Sequence, residues 1–250
     1  MMNEYVNLTL ENIEKEDICC LIRSKTQPEG VLHKKEWLKK RIEESHVLRK
    51  LNVPKATVMI EYAPLEVAWI PIEGNNYMYI YCLWTLGEYR HKGYGKELLK
   101  YAIHDAKHQG KSGLCILAHQ KQKTWLTDQE FFKRNGFKIV DETPSGYQVL
   151  ALSFDGTYPH FKENAKKEKI DQQELTIFYT YQCPYIDVTL KKIEEYCSSH
   201  QIPFSFHLIN TLLEAKNLPC PMNNYAVFYQ GKFITVNLLD TAYLERILKK

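Results

Sequence analysis

Hydrophobic and polar positions along this chain follow two periods, and the switches between them mark the elements. Tyr5–Leu10 alternates apolar and polar residues and predicts a strand. Residues 12–22 place Ile13, Ile18, Leu21 and Ile22 near one face of a helix. Residues 34–51 do the same with Trp37, Leu38, Ile42 and Leu48. Period two then returns in three expected strands, 57–62, 67–72 and 77–84, the last two joined by a hairpin turn at Gly74-Asn75-Asn76. A helix at 94–108 presents Leu98, Leu99, Ala102, Ile103 and Ala106 as its apolar stripe and stops at Gly110. Residues 113–118 are almost wholly apolar, as in a strand buried on both faces. A short helix at 128–134 and strands at 137–140 and 148–154 close this first pattern.

Residues 155–173 read as a linker, with Gly156, Pro159 and a charged run from Lys162 to Lys169, or a surface helix near 163–170. A second pattern follows: strand 175–181, helix 185–198, strand 203–209, short helix 212–216, strands 225–229 and 232–236, and helix 241–248. The expected division is therefore a domain over 1–154, a linker over 155–173 and a smaller α/β domain over 174–250.

The 250 residues, 44% hydrophobic and 25% charged with a formal net charge of +3, have the composition of a soluble globular protein. The charge is spread over both halves, so nucleic acid is not implied as a partner. No apolar run approaches the ~20 residues that span a bilayer, and the N-terminus carries no signal-peptide pattern. A cytoplasmic protein without membrane partners is expected; an oligomer is allowed. Seven cysteines without C-x-x-C spacing indicate neither a disulfide framework nor a metal site.

The first chemical signal is Arg90-His91-Lys92-Gly93-Tyr94-Gly95, between a strand and an amphipathic helix. The first N–H groups of a helix lack internal partners and sit in the positive end of its dipole. Glycines let a phosphate approach them, and Arg90 and Lys92 add charge. Neither the G-x-x-x-x-G-K-[ST] nor the full G-x-G-x-x-G pattern of nucleotide binders is present.

The segment from Trp84 to Leu99, with this loop at its centre, resembles the acetyl-CoA-binding motif of the GNAT family of N-acetyltransferases. Glu130-Phe131-Phe132-Lys133-Arg134-Asn135-Gly136-Phe137 resembles that family's later F-Y-x-x-x-G-F segment. The resemblance covers residues 5–154. It implies an α/β fold with a mixed, mostly antiparallel sheet flanked by helices, and acetyl transfer from acetyl-CoA to an amine acceptor, without a metal. It also implies that the backbone of Arg90, His91, Lys92, Gly93, Tyr94, Gly95 and Lys96 holds the cofactor's pyrophosphate. Leu83, Trp84 and Thr85 would pair with its pantetheine arm where two strands splay apart.

Amine attack on a thioester requires a neutral amine, hence a base or a water chain. The family's acid tyrosine is Phe132 in this chain, so that role is vacant or filled elsewhere. His119, just past the strand beside the expected splay, is the first candidate base, against a loop histidine. Glu61 is the second, against a surface strand residue. Tyr79 and Tyr81 are candidates to line the acceptor pocket, against core aromatics. Glu88 reads as a surface or capping residue.

The element order after residue 174 fits a thioredoxin-like module. Gln182-Cys183-Pro184-Tyr185-Ile186 resembles the C-P-Y-C loop of glutaredoxins with Ile186 in place of the second cysteine. A thiol at a helix N-terminus is acidified, which makes Cys183 a candidate thiolate. A resolving cysteine is missing, although Cys197 and Cys220 lie further on. The family's cis-proline position reads Met222-Asn223-Asn224-Tyr225. An extension of this kind after an acetyltransferase resembles the YoaP-like arrangement. The alternatives to amine acetylation are a thiol oxidoreductase using Cys183 and an acyl-CoA sensor without transfer.

Overall fold

The computed structural model describes residues 4–22 and 28–249. Its main sheet is built from β1 (Tyr5–Asn7), β2 (Val47–Leu51), β3 (Val58–Pro64), β5 (Tyr77–Thr85), β6 (Gly113–His119), β7 (Lys138–Glu142) and β8 (Tyr147–Ser153). β4 (Ile72–Glu73) lies outside it. The strand order is β1-β2-β3-β5-β6-β8-β7, antiparallel throughout except for the parallel pair β5 and β6. β6 is buried at all seven positions, as its unbroken apolar run demands. α1 (Glu29–Ile42) lies on one face, with Trp37 and Leu38 in a cluster with Met59, Tyr79 and Leu117. α2 (Tyr94–His108) and α3 (Gln129–Arg134) lie on the other, with Leu98, Ala102 and Phe132 in a cluster with Ile60, Ile80 and Leu114. The mixed, mostly antiparallel sheet flanked by helices is the expected class.

Three local expectations fail, each for a physical reason. Residues 12–22 form one turn rather than a helix. Cys19 and Leu21 take φ of 61° and 54°, left-handed values that end a right-handed helix, yet Ile13 and Ile18 still enter the core. The helix expected at 34–51 starts at Glu29 and ends at Ile42, because Ser45 turns at φ 67° and residues 47–51 become β2. There Leu48 packs in the core, while Lys50 reaches Glu16 (2.7 Å) and Asp17 (3.2 Å). A strand at 67–72 is replaced by a 3-10 turn over Leu65–Val67 and the short β4. β4 pairs with β9 (His160–Phe161) and not with β5, so residues 74–76 do not close a hairpin between paired strands.

Residues 155–173 are anchored at several points along an otherwise exposed or half-buried course. Phe161 and Ala165 are fully buried, Lys162 N–H donates to Pro71 O and Ile170 N–H to Gly231 O.

The second sheet comprises β10 (Leu175–Tyr179), β11 (Phe204–Leu208), β12 (Tyr225–Tyr229) and β13 (Lys232–Thr235) in the order β11-β10-β12-β13. β10 and β11 are parallel; the other pairs are antiparallel. α4 (Tyr185–Ser199) and α6 (Thr241–Leu248) share one apolar cluster with this sheet, and α5 (Leu212–Lys216) follows β11. The unit is keyed into the first by polar contacts. Lys216 Nζ donates to Leu65 O (2.7 Å) and Ile72 O (3.0 Å), Tyr147 OH accepts from Val236 N–H (3.1 Å), and His33 meets Asp187 (3.1 Å).

Gly30 sets the approach of α1 to α4. A Cβ there would stand 2.2 Å from Pro184 O and 2.9 Å from Asp187 Oδ2. Replacing glycine by alanine inside a helix ordinarily stabilises by up to about 1 kcal/mol. Gly30→Ala is expected to do the reverse, costing about 1–3 kcal/mol through overpacking. Chemical denaturation of the variant checks the sign; a gain in stability would mean that the two helices are not in contact.

Candidate active site

The site originates in one extra residue in β5. Along β3, Glu61 stands opposite Cys82 while Tyr62 stands opposite Ile80, so Tyr81 is a bulge. Bulges bend a strand and raise its local twist. The pairing of β5 with β6 ends there, at Ile80 opposite Ile116. Beyond it β5 stays with β3 to Thr85, and β6 stays with β8 to His119. The two central strands thus part after Ile80, leaving the β6-facing edge of Leu83, Trp84 and Thr85 without a strand partner.

The glycine loop leaves this edge and enters α2. After a 3-10 turn at Gly87–Tyr89, Arg90 N–H bonds Gly87 O (3.2 Å). His91 and Gly93 take φ of 60° and 90°, and Tyr94 opens the helix. Among the described residues, none of the backbone N–H groups from His91 to Lys96 donates to another residue; the next, Glu97, bonds Gly93 O (3.1 Å). Arg90, His91, Lys92 and Lys96 are exposed. A Cβ on Gly93 would meet nothing within 4 Å, so glycine serves the backbone conformation and the clearance above it. Six free N–H groups at a helix N-terminus, flanked by three cationic side chains, fit a diphosphate.

A cleft of about 770 Å³, its open mouth included, lies in the gap between the parted strands. The first sheet contributes Tyr81, Leu83, Trp84, Ile116 and Leu117, and the loop after β6 adds Trp125. The second unit closes it with Gln182, Cys183, Tyr185, Asn223 and Asn224. Asn223 is the fastening: its Oδ1 accepts from Tyr79 OH (2.7 Å) and its Nδ2 donates to Tyr81 O (3.1 Å). Tyr79 and Tyr81 both line this space, and Tyr81 OH also accepts from Trp69 N–H (2.6 Å).

Behind the cleft lies a fully buried carboxylate. Glu61 Oε2 accepts from Lys34 Nζ (2.5 Å) and Gln182 Nε2 (2.9 Å), and Oε1 accepts from His46 Nε2 (2.9 Å). Burial pushes its pKa up, but Lys34 and His46 outweigh that and hold it below its usual range. Burial lowers that of His46. The relay continues outward, since Asn224 Nδ2 donates to Gln182 Oε1 (2.6 Å). Glu61 itself does not border the cleft; Lys34 and Gln182 do.

His119 is buried away from the cleft. Its Nε2 donates to Ser145 O (3.2 Å), its Nδ1 accepts from Lys121 N–H (2.9 Å), and its ring meets Tyr147 edge-on. Burial lowers its pKa. Phe132 is 1% exposed and packs on Phe131 and Phe137. Glu88 sits exposed in the turn before the loop. Cys183 borders the cleft just before α4, but burial pushes its thiol up to about 11, opposite to the acidification expected of that position. Cys197 and Cys220 lie in separate apolar clusters. The thiols that share the cleft with Cys183 are Cys20 and Cys82, and neither these nor Lys34, Gln182 and Asn223 carry a motif that singles them out in the sequence.

Among the described residues no helix is long and apolar enough to cross a membrane, and no cluster of side chains could hold a metal ion. The acetyltransferase (GNAT) family model matches residues 11–137, and a YoaP-like model matches residues 203–246. A relative described as the uncharacterized N-acetyltransferase YoaP of Bacillus subtilis (strain 168) is 35% identical over 246 residues, 98% of each chain. Among solved structures, the chain is similar to the PaiA N-acetyltransferase of Thermoplasma acidophilum in complex with coenzyme A. That likeness is 21% identical with a TM-score of 0.44, over 62% of this chain and 100% of that one. A GNAT family acetyltransferase of Brucella melitensis in complex with acetyl-CoA is 12% identical with a TM-score of 0.40, over 64% and 94%. Sequence identity along nearly the whole length and the match of the family model across the parted strands and the glycine loop agree: the chain belongs to the GNAT family of acetyltransferases.

Proposed function

We propose that this acetyltransferase moves acetyl from acetyl-CoA to the amine of a small molecule or peptide by direct attack in a ternary complex, with the acceptor in the cleft shared by the two units. The observation that carries this reading is the junction of three features at one place: the unpaired edge of β5, the free N–H groups of residues 91–96, and a cleft beginning at Trp84. Acetyl-CoA supplies the activated acetyl group. Arg90, Lys92, Lys96 and the N–H groups of His91–Lys96 would hold its phosphates, and the edge from Leu83 to Thr85 would align its arm. Alignment of two reactants alone can supply up to about 7–11 kcal/mol of the barrier.

In this reading Glu61 and His119 are positioning and structural groups, because every oxygen of the one and nitrogen of the other already has a partner. The second unit serves as the acceptor-side wall. Its strand order and the placement of Cys183 before α4 support a thioredoxin-like fold, but a thiol raised by burial favours a wall over an oxidoreductase. All seven cysteines are free thiols, which supports a cytoplasmic setting.

Calorimetric titration with acetyl-CoA tests the cofactor site. Saturable binding is expected for the parent chain, and a loss of at least about tenfold, 1.4 kcal/mol, for Gly95→Glu, with unchanged circular dichroism. The fold tolerates the new Cβ, whose nearest neighbour is Leu83 Cδ2 at an ordinary 3.5 Å. Equal affinity in the two proteins would refute the assignment.

Glu61→Gln leaves Lys34 buried without its counter-charge, and a cost of about 3–5 kcal/mol is expected at pH 7. Because the folded-state pKa of Glu61 is depressed, its advantage is fully present above the ordinary carboxylate value of 4.5. It is lost as pH falls through the lower folded value. Urea titrations of both proteins across acid pH check this; a constant difference would contradict it. His119→Ala is expected to lower stability and leave the pH–rate profile in place, and a displaced profile would restore it as the base.

A further inference from the structure

No side chain that borders the cleft among the described residues is a base free to take a proton from an ammonium ion. Among the described residues no Asp, Glu or His borders it, and residues 1–3, 23–27 and 250 include none in their sequence. Glu61, which meets the wall residues Lys34 and Gln182 from behind, has its charge spent on Lys34 and His46. The nearest sequence candidate, His119, has both nitrogens tied to backbone. Among the described residues the one charged side chain in the wall is Lys34, and its charge is matched by Glu61 Oε2 at 2.5 Å. The remaining titratable groups facing the space are the thiols of Cys20, Cys82 and Cys183 and the hydroxyls of Tyr79, Tyr81 and Tyr185, all held protonated by burial. The wall is otherwise aromatic and amide, with Trp125 against Tyr185 at 5.6 Å between ring centroids.

A cationic acceptor entering this space would lose its hydration and find no carboxylate free to pair with it, two effects of one sign. Resting on the acetyl-transfer reading above, we infer that the acceptor is a weakly basic amine, an α-amino group or an aromatic amine on a flat body, that enters already neutral. Polyamines, aminoglycosides and lysine side chains are excluded. An acid group on the acceptor meets no like charge in the wall. At pH 7 an alkylamine of pKa about 10.4 is neutral to about one part in 2,500, whereas an α-amine of about 8 is neutral to about one in ten. The acceptor's lone pair forms the N–C bond, the C–S bond breaks, and the nitrogen's surplus proton leaves with the sulfur as a thiol. A neutral amine closes that balance without a proton being taken up by the protein.

The test compares phenylalaninamide, 2-phenylethylamine and spermidine with the full chain. Thiol release at pH 7 should favour phenylalaninamide over 2-phenylethylamine by at least about tenfold in kcat/KM, part of the difference in neutral fraction being returned by the nucleophilicity of the stronger base. Spermidine should be the poorest. The 2-phenylethylamine rate should climb about tenfold per pH unit between pH 7 and 9. Without acetyl-CoA, calorimetry in two buffers of different ionisation enthalpy should show about one proton released when 2-phenylethylamine binds. Preference for spermidine or 2-phenylethylamine at pH 7 overturns the inference. So does a rate inflection at one pH for both phenyl acceptors, or binding without proton release. If acetyl-CoA binds but none of the three amines is acetylated, the transfer reading itself falls, and this inference with it.

Discussion

A single buried carboxylate holds the architecture in register. Glu61 lies in the middle of the central sheet and can stay ionised there only because Lys34 from α1, His46 from the turn before β2 and Gln182 from the second unit converge on it. An unpaired charge at full burial is far costlier than any neutral packing defect, so the three donors are not free to drift. α1 must keep its height over the sheet, β2 must keep its register against β3, and the second unit must stay docked. A buried ion pair adds little net stability over apolar packing, and its better-attested use is to specify one arrangement over others. Here the arrangement it specifies is the pose of the second unit over the cleft.

That pose matters because the cleft opens at an irregularity in the sheet that the second unit covers. The bulge at Tyr81 parts β5 from β6, and a parted pair of strands exposes polar edges that an interior does not tolerate unless something satisfies them. Asn223 bonds to one such group, Tyr81 O, and to the Tyr79 hydroxyl beside it. The second unit is therefore a continuation of the site's lining rather than an appendage. A variant that loosens it uncovers a carbonyl in the floor of the first unit's active site, which couples the stability of the one to the geometry of the other.

The sequence was most legible where local pattern and tertiary context agree. α2 and α5 occupy the residues that their apolar stripe or flanking residues indicate, and β6 overruns its apolar block by one residue. It misled where an apolar periodicity suits two structures. Residues 47–51 extend a helical stripe as well as they fill a strand, and only pairing with β1 and β3 decides between them. Residues 13 and 18 are apolar because they are buried, not because they are helical, and the left-handed φ at Cys19 and Leu21 has no signature in those residue types. The glycine loop was legible because its chemistry is carried by main chain and local charge. The cleft was not, because Lys34, Cys82, Gln182 and Asn223 come from four distant segments and meet only through packing.

The departures of the second unit from the glutaredoxin pattern form one consistent set. At the position of the missing resolving cysteine, Ile186 is fully buried in the core of its unit, so a side chain there serves packing rather than exchange. In the segment 222–225, where a cis-proline would be expected, Asn224 O accepts from Thr180 N–H (2.9 Å) and the Asn224 side-chain amide donates to Gln182 Oε1. Where the resemblance to glutaredoxins would call for an element of thiol exchange, the chain has either an apolar anchor or an amide facing the first unit. This segment presents a wall to the neighbouring cleft, and Cys183 lies in it as a part-buried thiol that desolvation holds protonated. The physical cause is desolvation: with the first unit covering the segment, the thiolate that exchange chemistry requires is disfavoured, whatever the dipole of α4 contributes.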